Sequence, residues 1–132
     1  YPKSPSGMPG VQTLLPAMLT LAQRDGLIDI QSVVNLTSAR PAEIYGIKNK
    51  GFIAPGYDAD LVLVDLAQKW TFERDMVESK CGWSPFEGEE FWGRPVSVVL
   101  NGRVALREGE RQGSPSGTVV QFQRERIPAP RF

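Results

Sequence analysis

Apolar residues recur at helical spacing from Leu14 onward: Leu14, Leu15, Met18, Leu21 and Ala22 share one face. Pro16 is compatible only with a first turn, so this helix is predicted to begin near Thr13 and to stop near Gly26. Asp29 suits the N-cap of a second helix carrying Ile30, Val33, Val34 and Leu36. A third, short helix is predicted to start at Pro41, where proline fits the first position, and to end before Gly46. No strand pattern occurs between residues 13 and 46.

The period changes near Gly51. Gly51 to Ile53 reads as a short strand, and Ala54-Pro55-Gly56-Tyr57 reads as a type II turn with Pro and Gly at its centre. Leu61 to Val64 is a β-branched-rich apolar run bounded by Asp60 and Asp65, the pattern of a buried strand. Lys69 to Phe72 is a second candidate. Gly82, Pro85 and Gly88 make residues 73 to 93 a long ordered loop. Val96 to Leu100, Asn101-Gly102 and Arg103 to Arg107 form the clearest local signal. Asn-Gly supplies the two positive-φ residues of a type I′ hairpin turn. Gly117 to Phe122 is a last candidate strand. The tail RIPAPRF is expected to be disordered or packed on a neighbour. Pro2, Pro5, Gly7, Pro9 and Gly10 make the opening an irregular loop, of the kind found in the middle of a larger protein. Helices first and antiparallel strands after give an α+β chain, or a junction between two domains, with few strands for a stable sheet.

Composition narrows the class. The 132 residues are 41% hydrophobic and 23% charged, as in one ordinary globular domain. Fifteen basic and fifteen acidic residues cancel, which argues against a nucleic-acid or anionic-membrane partner. No apolar run approaches the roughly 20 residues of a membrane span, and the opening lacks the pattern of a signal peptide. The single Cys81 has no internal partner for a disulfide, which fits a reducing cytoplasm. The most informative count is zero histidines. Histidine is the commonest ligand of catalytic zinc and the commonest general base near neutral pH. A self-contained zinc or Ser-His-Asp hydrolase is therefore not built from this chain in the usual way, although carboxylate-only sites stay open.

The remaining candidates each have a plainer reading. Asp58 and Asp60 share a face at a strand start and would suit metal binding, but no third ligand is near; a turn residue and a strand gatekeeper is the favoured reading. Cys81 lacks a histidine base, which favours a packed thiol over a nucleophile. Glu87, Glu89 and Glu90 read as a solvated acidic cluster. Trp70, Trp83 and Trp92 read as anchors for the 73–93 segment. No phosphate-binding glycine motif is present.

Longer stretches carry a resemblance. SPSGMPGVQTLLPAML, then NLTSARPAEIYGI and KGFIAPGYDADLVLVDL, resemble segments of the cyclic amidohydrolases: dihydroorotases, allantoinases and dihydropyrimidinases. ESKCGWSPFEGEEFWGRPVSVVLNGRVALREGE is similar to the dihydroorotase tail in particular. The likeness spans about residues 4 to 110. It implies an α+β fragment: the last helices of a (β/α)8 amidohydrolase barrel, then part of a small antiparallel β-sandwich. On this reading residues 1–48 end the barrel, 49–122 belong to the sandwich domain with the long 73–93 segment, and 123–132 form a tail.

The resemblance also implies a parent enzyme that interconverts dihydroorotate and N-carbamoyl-L-aspartate in pyrimidine biosynthesis. In that family an H-x-H pair, a carboxylated Lys and two further His hold the metal, zinc, and an Asp in a D-x-A-P-H motif is the base. None of these motifs is present here, so this chain alone is expected to bind no zinc and to be inactive. One family contact carries over: the backbone at the P-x-G positions, here Ser6 and Gly7, would touch the substrate's carboxylate or ring, the alternative being an ordinary surface turn. Other readings are a non-catalytic module that self-associates or partners aspartate transcarbamoylase, and an enzyme for allantoin or a hydantoin.

Overall fold

A computed structural model describes residues 7–114 and 117–123. They divide into two compact units. One comprises the described residues up to Val33 together with Leu63–Val96; the other comprises Val34–Val62 and the described residues from Ser97 on.

In the first unit, helix α1 spans Leu14–Gln23 with Thr13 at its N-cap, as the pattern predicted. Pro16 lies in the first turn, where a missing N–H costs no helical bond. Leu19 and Thr20 are buried, and Gly26, at φ 62°, turns the chain out of the helix. Asp29 Oδ1 accepts the Ser32 N–H at 2.7 Å, the predicted cap of α2 (Ile30–Val34).

Strands β1 (Leu61–Thr71) and β2 (Glu90–Leu100) are followed by β3 (Arg103–Arg107) and β4 (Glu110–Arg111), in the sheet order β1-β2-β3-β4. Leu61–Val64 and Lys69–Thr71 are thus one strand of 11 residues, and Asp65 does not end it. Nor is its start buried. Val62 is 46% and Leu63 55% exposed, because β1 ends the strand order and has one neighbour among the described strands. The predicted 73–93 loop is shorter at its far end, since β2 takes up Glu90–Gly93. It includes a 3-10 turn at Arg74–Met76 and is closed by Phe72 N–H to Glu89 O (3.0 Å) and Gly88 N–H to Phe72 O (2.9 Å).

An aromatic cluster forms the core of this unit. Trp70, Phe72, Phe86 and Phe91 meet at tilted or edge-on angles with centroids 5.3–6.2 Å apart. Phe72 and Phe91 are almost wholly buried, each contributing about 2–3 kcal/mol of apolar burial. Thr20 Oγ1 donates to Pro16 O (2.8 Å) and accepts the Trp92 N–H (2.9 Å), tying α1 to β2. Gly93 sits under Leu19: at φ 89° it brings β2 close, and a Cβ there would lie 3.1 Å from the Leu19 Cβ.

In the second unit the third helix has Pro41 in its first turn and ends before Gly46, as predicted, but it follows the preceding helix without a break. The chain runs from α2 through a π turn at Asn35–Ala39 into α3 (Arg40–Tyr45). Proline normally clashes with the carbonyl four residues back. Here the Arg40 N–H bonds to Asn35 O, five residues back, and the widened turn gives Pro41 room. Gly46 at φ 61° ends α3, with the Ile47 N–H donating to Ala42 O at 2.8 Å.

Gly51 to Ile53 is not a strand. Gly51 packs against α3 so tightly that a Cβ would meet the Ala42 Cβ at 2.7 Å, and at φ 90° it turns rather than extends the chain. The Ala54–Tyr57 turn forms as predicted, with Gly56 at φ 88° and the Tyr57 N–H on Ala54 O at 3.1 Å. So does the hairpin: Asn101 and Gly102 have φ 50° and 76°, and Ser97 pairs with Arg107 and Leu100 with Arg103, around a bulge between Val98 and Val99. Residues 117–122 form no regular strand; their pairing is a single bridge between Phe122 and Ile47. The RIPAPRF tail, beginning past Gln123, lies outside the described residues.

Candidate functional site

Of the two residues singled out for substrate contact, Ser6 lies outside the described residues. Gly7 is exposed, at φ 79°, with no atom beyond its chain neighbours within 4 Å of where a Cβ would stand. That conformation favours glycine and leaves its backbone open to an approaching group. Gly7 leads through Pro9 and Gly10 to Gln12, one residue before the cap of α1.

Gln12 is a functional-looking residue that periodicity did not single out. Its Nε2 donates to Met76 O at 2.7 Å and its Oε1 accepts the Glu78 N–H at 3.1 Å. The side chain thus mimics one rung of a sheet ladder across 64 and 66 residues of sequence. A polar residue at the end of a glycine-rich loop gives no sequence cue to such a distant partner. Beside it lies a cleft of about 290 Å³ walled by Pro9, Val11, Thr13, Val77 and Trp83.

Asp58 and Asp60 are brought together, though not as metal ligands. Lys50 reaches both: its Nζ lies 3.0 Å from Asp58 Oδ2 and bonds to Asp60 Oδ2. Asp60 Oδ1 also accepts the Asn101 N–H at 2.7 Å, so the carboxylate joins the 50–60 turn to the hairpin. The bond to Asp60 holds the half-buried Lys50 ammonium above its ordinary range, against the opposing effect of burial. Burial alone would raise the Asp60 carboxyl, but the Asn101 N–H and the Lys50 charge outweigh it and hold the carboxyl below the usual range. Two carboxylates sharing one ammonium make a structural clamp. The gatekeeper reading of Asp60 fits this geometry; the Lys50 partner has no periodic signature.

Cys81 is exposed rather than packed. The turn closed by the Gly82 N–H on Ser79 O (2.9 Å) puts the thiol on an exposed loop. Its Sγ is 3.0 Å from Ser79 Oγ and 3.5 Å from Trp83 O, and the Ser79 hydroxyl draws the thiol below its ordinary range. The anchor reading fits Trp70, whose Nε1 donates to Gly93 O at 3.1 Å; Trp92 carries the Lys69 ammonium over its ring, and Trp83 is 43% exposed on the cleft wall. Glu87, Glu89 and Glu90 are exposed, with Glu87 3.8 Å from Arg74 and Glu90 accepting the Trp92 Nε1–H.

The zinc implied by the resemblance does not fit these side chains. The chain has no histidine, the paired aspartates already hold an ammonium, and the described residues contain no group of three His, Cys, Asp or Glu able to share an ion. Among the described residues no helix is long and apolar enough to cross a membrane.

Comparison with known proteins places this architecture. Residues 8–105 match the amidohydrolase family model. The chain is 38% identical over 112 residues to the dihydroorotase of Pyrococcus furiosus, covering 85% of this chain and 27% of that one. It is 47% identical over 85 residues to the dihydroorotase of Halobacterium salinarum, covering 64% of this chain and 20% of that one. In structure it is similar to the L-hydantoinase (dihydropyrimidinase) of Arthrobacter aurescens, with a TM-score of 0.78 and 31% identity over 84% of this chain and 25% of that one. The chain therefore spans between a fifth and just over a quarter of the length of these relatives. With an antiparallel hairpin sheet, a few helices and a family match over most of its length, the chain belongs to the amidohydrolase family.

Proposed function

We propose that this chain is the carboxyl-terminal portion of a dihydroorotase-type cyclic amide hydrolase. The whole enzyme interconverts dihydroorotate and N-carbamoyl-L-aspartate in pyrimidine biosynthesis, in the cytoplasm. The observation that carries this reading is the 38% identity to a dihydroorotase over 112 residues.

In this reading residues 1–48 end the barrel, residues 49–122 belong to a small β-sandwich domain, and 123–132 are a tail. The chain's own contribution is support and contact. The open backbone at Gly7, with Ser6 before it, meets the substrate's carboxylate or ring. Metal ligands and the proton-transferring carboxylate lie elsewhere in the whole polypeptide, because the side chains here do not form that set.

The purified 132-residue chain, given zinc and dihydroorotate, is expected to show no turnover, measured by loss of the ring amide absorbance. Metal-dependent hydrolysis above the rate in buffer would defeat this reading. An in-frame D-x-A-P-H motif just upstream of Tyr1, with H-x-H further upstream, is the corresponding expectation for the gene. A hydantoin substrate is the second reading, favoured by the structural likeness to hydantoinases. Side-by-side assay of the whole enzyme on dihydroorotate and on a 5-substituted hydantoin decides between them.

A further inference from the structure

We infer that Gln12 is a positioning residue for substrate binding, acting through the loop that carries Gly7; this rests on the proposed role of Gly7. Two hydrogen bonds from one side-chain amide fix Gln12 to the backbone at Met76 and Glu78. A single bond leaves a hinge, whereas two roughly parallel bonds define an orientation. Met76 ends the short 3-10 turn that follows β1 and the buried Phe72, so the far end of the clamp is tied to the aromatic core. At the near end, Thr13 is buried and its hydroxyl donates to Gly10 O at 3.4 Å, fastening the loop to the start of α1.

Between Gly7 and Gln12 the chain itself is exposed or half-buried, and these bonds hold its Gln12 end. Loss of the Gln12 amide frees the loop at one end and lets the Gly7 backbone drift from the geometry a substrate anion requires. Misplacement of a binding group on the ångström scale is enough to change turnover parameters markedly.

The effect is expected in KM rather than kcat, since the loop binds and does not move protons. In the full-length enzyme, Gln12→Ala is expected to raise KM for dihydroorotate about five- to tenfold with kcat nearly unchanged. Gln12→Glu keeps the acceptor for the Glu78 N–H and loses the donor to Met76 O, so its KM is expected between the two. A role in folding alone would lower the active fraction and the melting temperature and leave KM in place.

An unchanged KM in an active Gln12→Ala enzyme overturns the inference. Should Gln12→Ala not fold, hydrogen exchange of the wild type decides: protection of the Glu78 amide supports the clamp, and exchange at the rate of an open amide overturns it. A wild type that hydrolyses a hydantoin but not dihydroorotate defeats the substrate assignment alone, and the same KM comparison is then made on the hydantoin.

Discussion

Asp60 is held from two sides, by the Lys50 ammonium and by the Asn101 N–H, and its loss exposes both partners. Asp60→Ala is expected to destabilise the fold by about 1–3 kcal/mol, seen as a lower urea midpoint. Asp60→Asn retains an acceptor for Asn101 and is expected to cost less. The pH dependence follows from the two shifts. The Asp60 carboxyl is lowered by folding, so its contribution is present above the ordinary carboxylate value of about 3.9 and is lost as pH falls through the lower folded value. The Lys50 ammonium is raised, so its contribution is complete below about 10.4 and is lost as pH rises through the higher folded value. The difference between wild type and Asp60→Ala is therefore expected to be flat through neutral pH and to shrink at both extremes. A difference that varied between pH 6 and 8 would point to another group. At this scale the sequence disclosed the capping Asp29 and the turn glycines, which act on neighbours a few residues away. It concealed Lys50, which meets its partners only when the 50–60 turn closes, and Gln12, whose partners lie 64 and 66 residues away.

Among the elements, α1 and β2 are joined by the Thr20 hydroxyl, which serves the Pro16 carbonyl and the Trp92 N–H at once. Thr20→Val keeps the shape and removes the acceptor, and is expected to cost about 1–3 kcal/mol in thermal or chemical melts. Thr20→Ser, which keeps the oxygen, is expected to restore most of it; equal losses in both variants would assign the effect to packing. Elements set by local chemistry were legible beforehand: the start of α1 at Thr13, the Asp29 cap, the Pro55-Gly56 turn and the Asn101-Gly102 hairpin. Those set by distant pairing were not. Asp65 to Gln68 has little strand preference, yet it is extended because β1 lies against β2. Gly117 to Phe122 has strand preference and gains only a bridge to Ile47. The helix across Pro41 survives because a π turn makes room, a solution that periodicity does not anticipate.

For the whole molecule, the informative feature is apolar surface left open. Leu63 is 55%, Ile44 63% and Tyr45 68% exposed, in a chain that spans 27% of the Pyrococcus relative's length. Open strand edges and apolar faces favour association. The isolated chain is expected to show a mass that rises with concentration in light scattering. Leu63→Lys, at an exposed position of β1, is expected to move it towards the monomer. A constant monomer mass up to the solubility limit would rule this out.

The hairpin turn also makes the molecule a recorder of its own age. In an Asn-Gly pair the glycine nitrogen attacks the asparagine side-chain carbonyl, a cyclic imide forms and ammonia leaves; water then opens the imide to aspartate or isoaspartate. Here the Gly102 N–H is occupied by Ala59 O at 3.0 Å and the Asn101 side-chain amide donates to Thr118 Oγ1 at 3.3 Å, so the reaction waits for the turn to open. The accumulation of acidic isoforms on storage, followed by isoelectric focusing, is thus expected to report how often residues 99–104 come apart, and to quicken in Asp60→Ala.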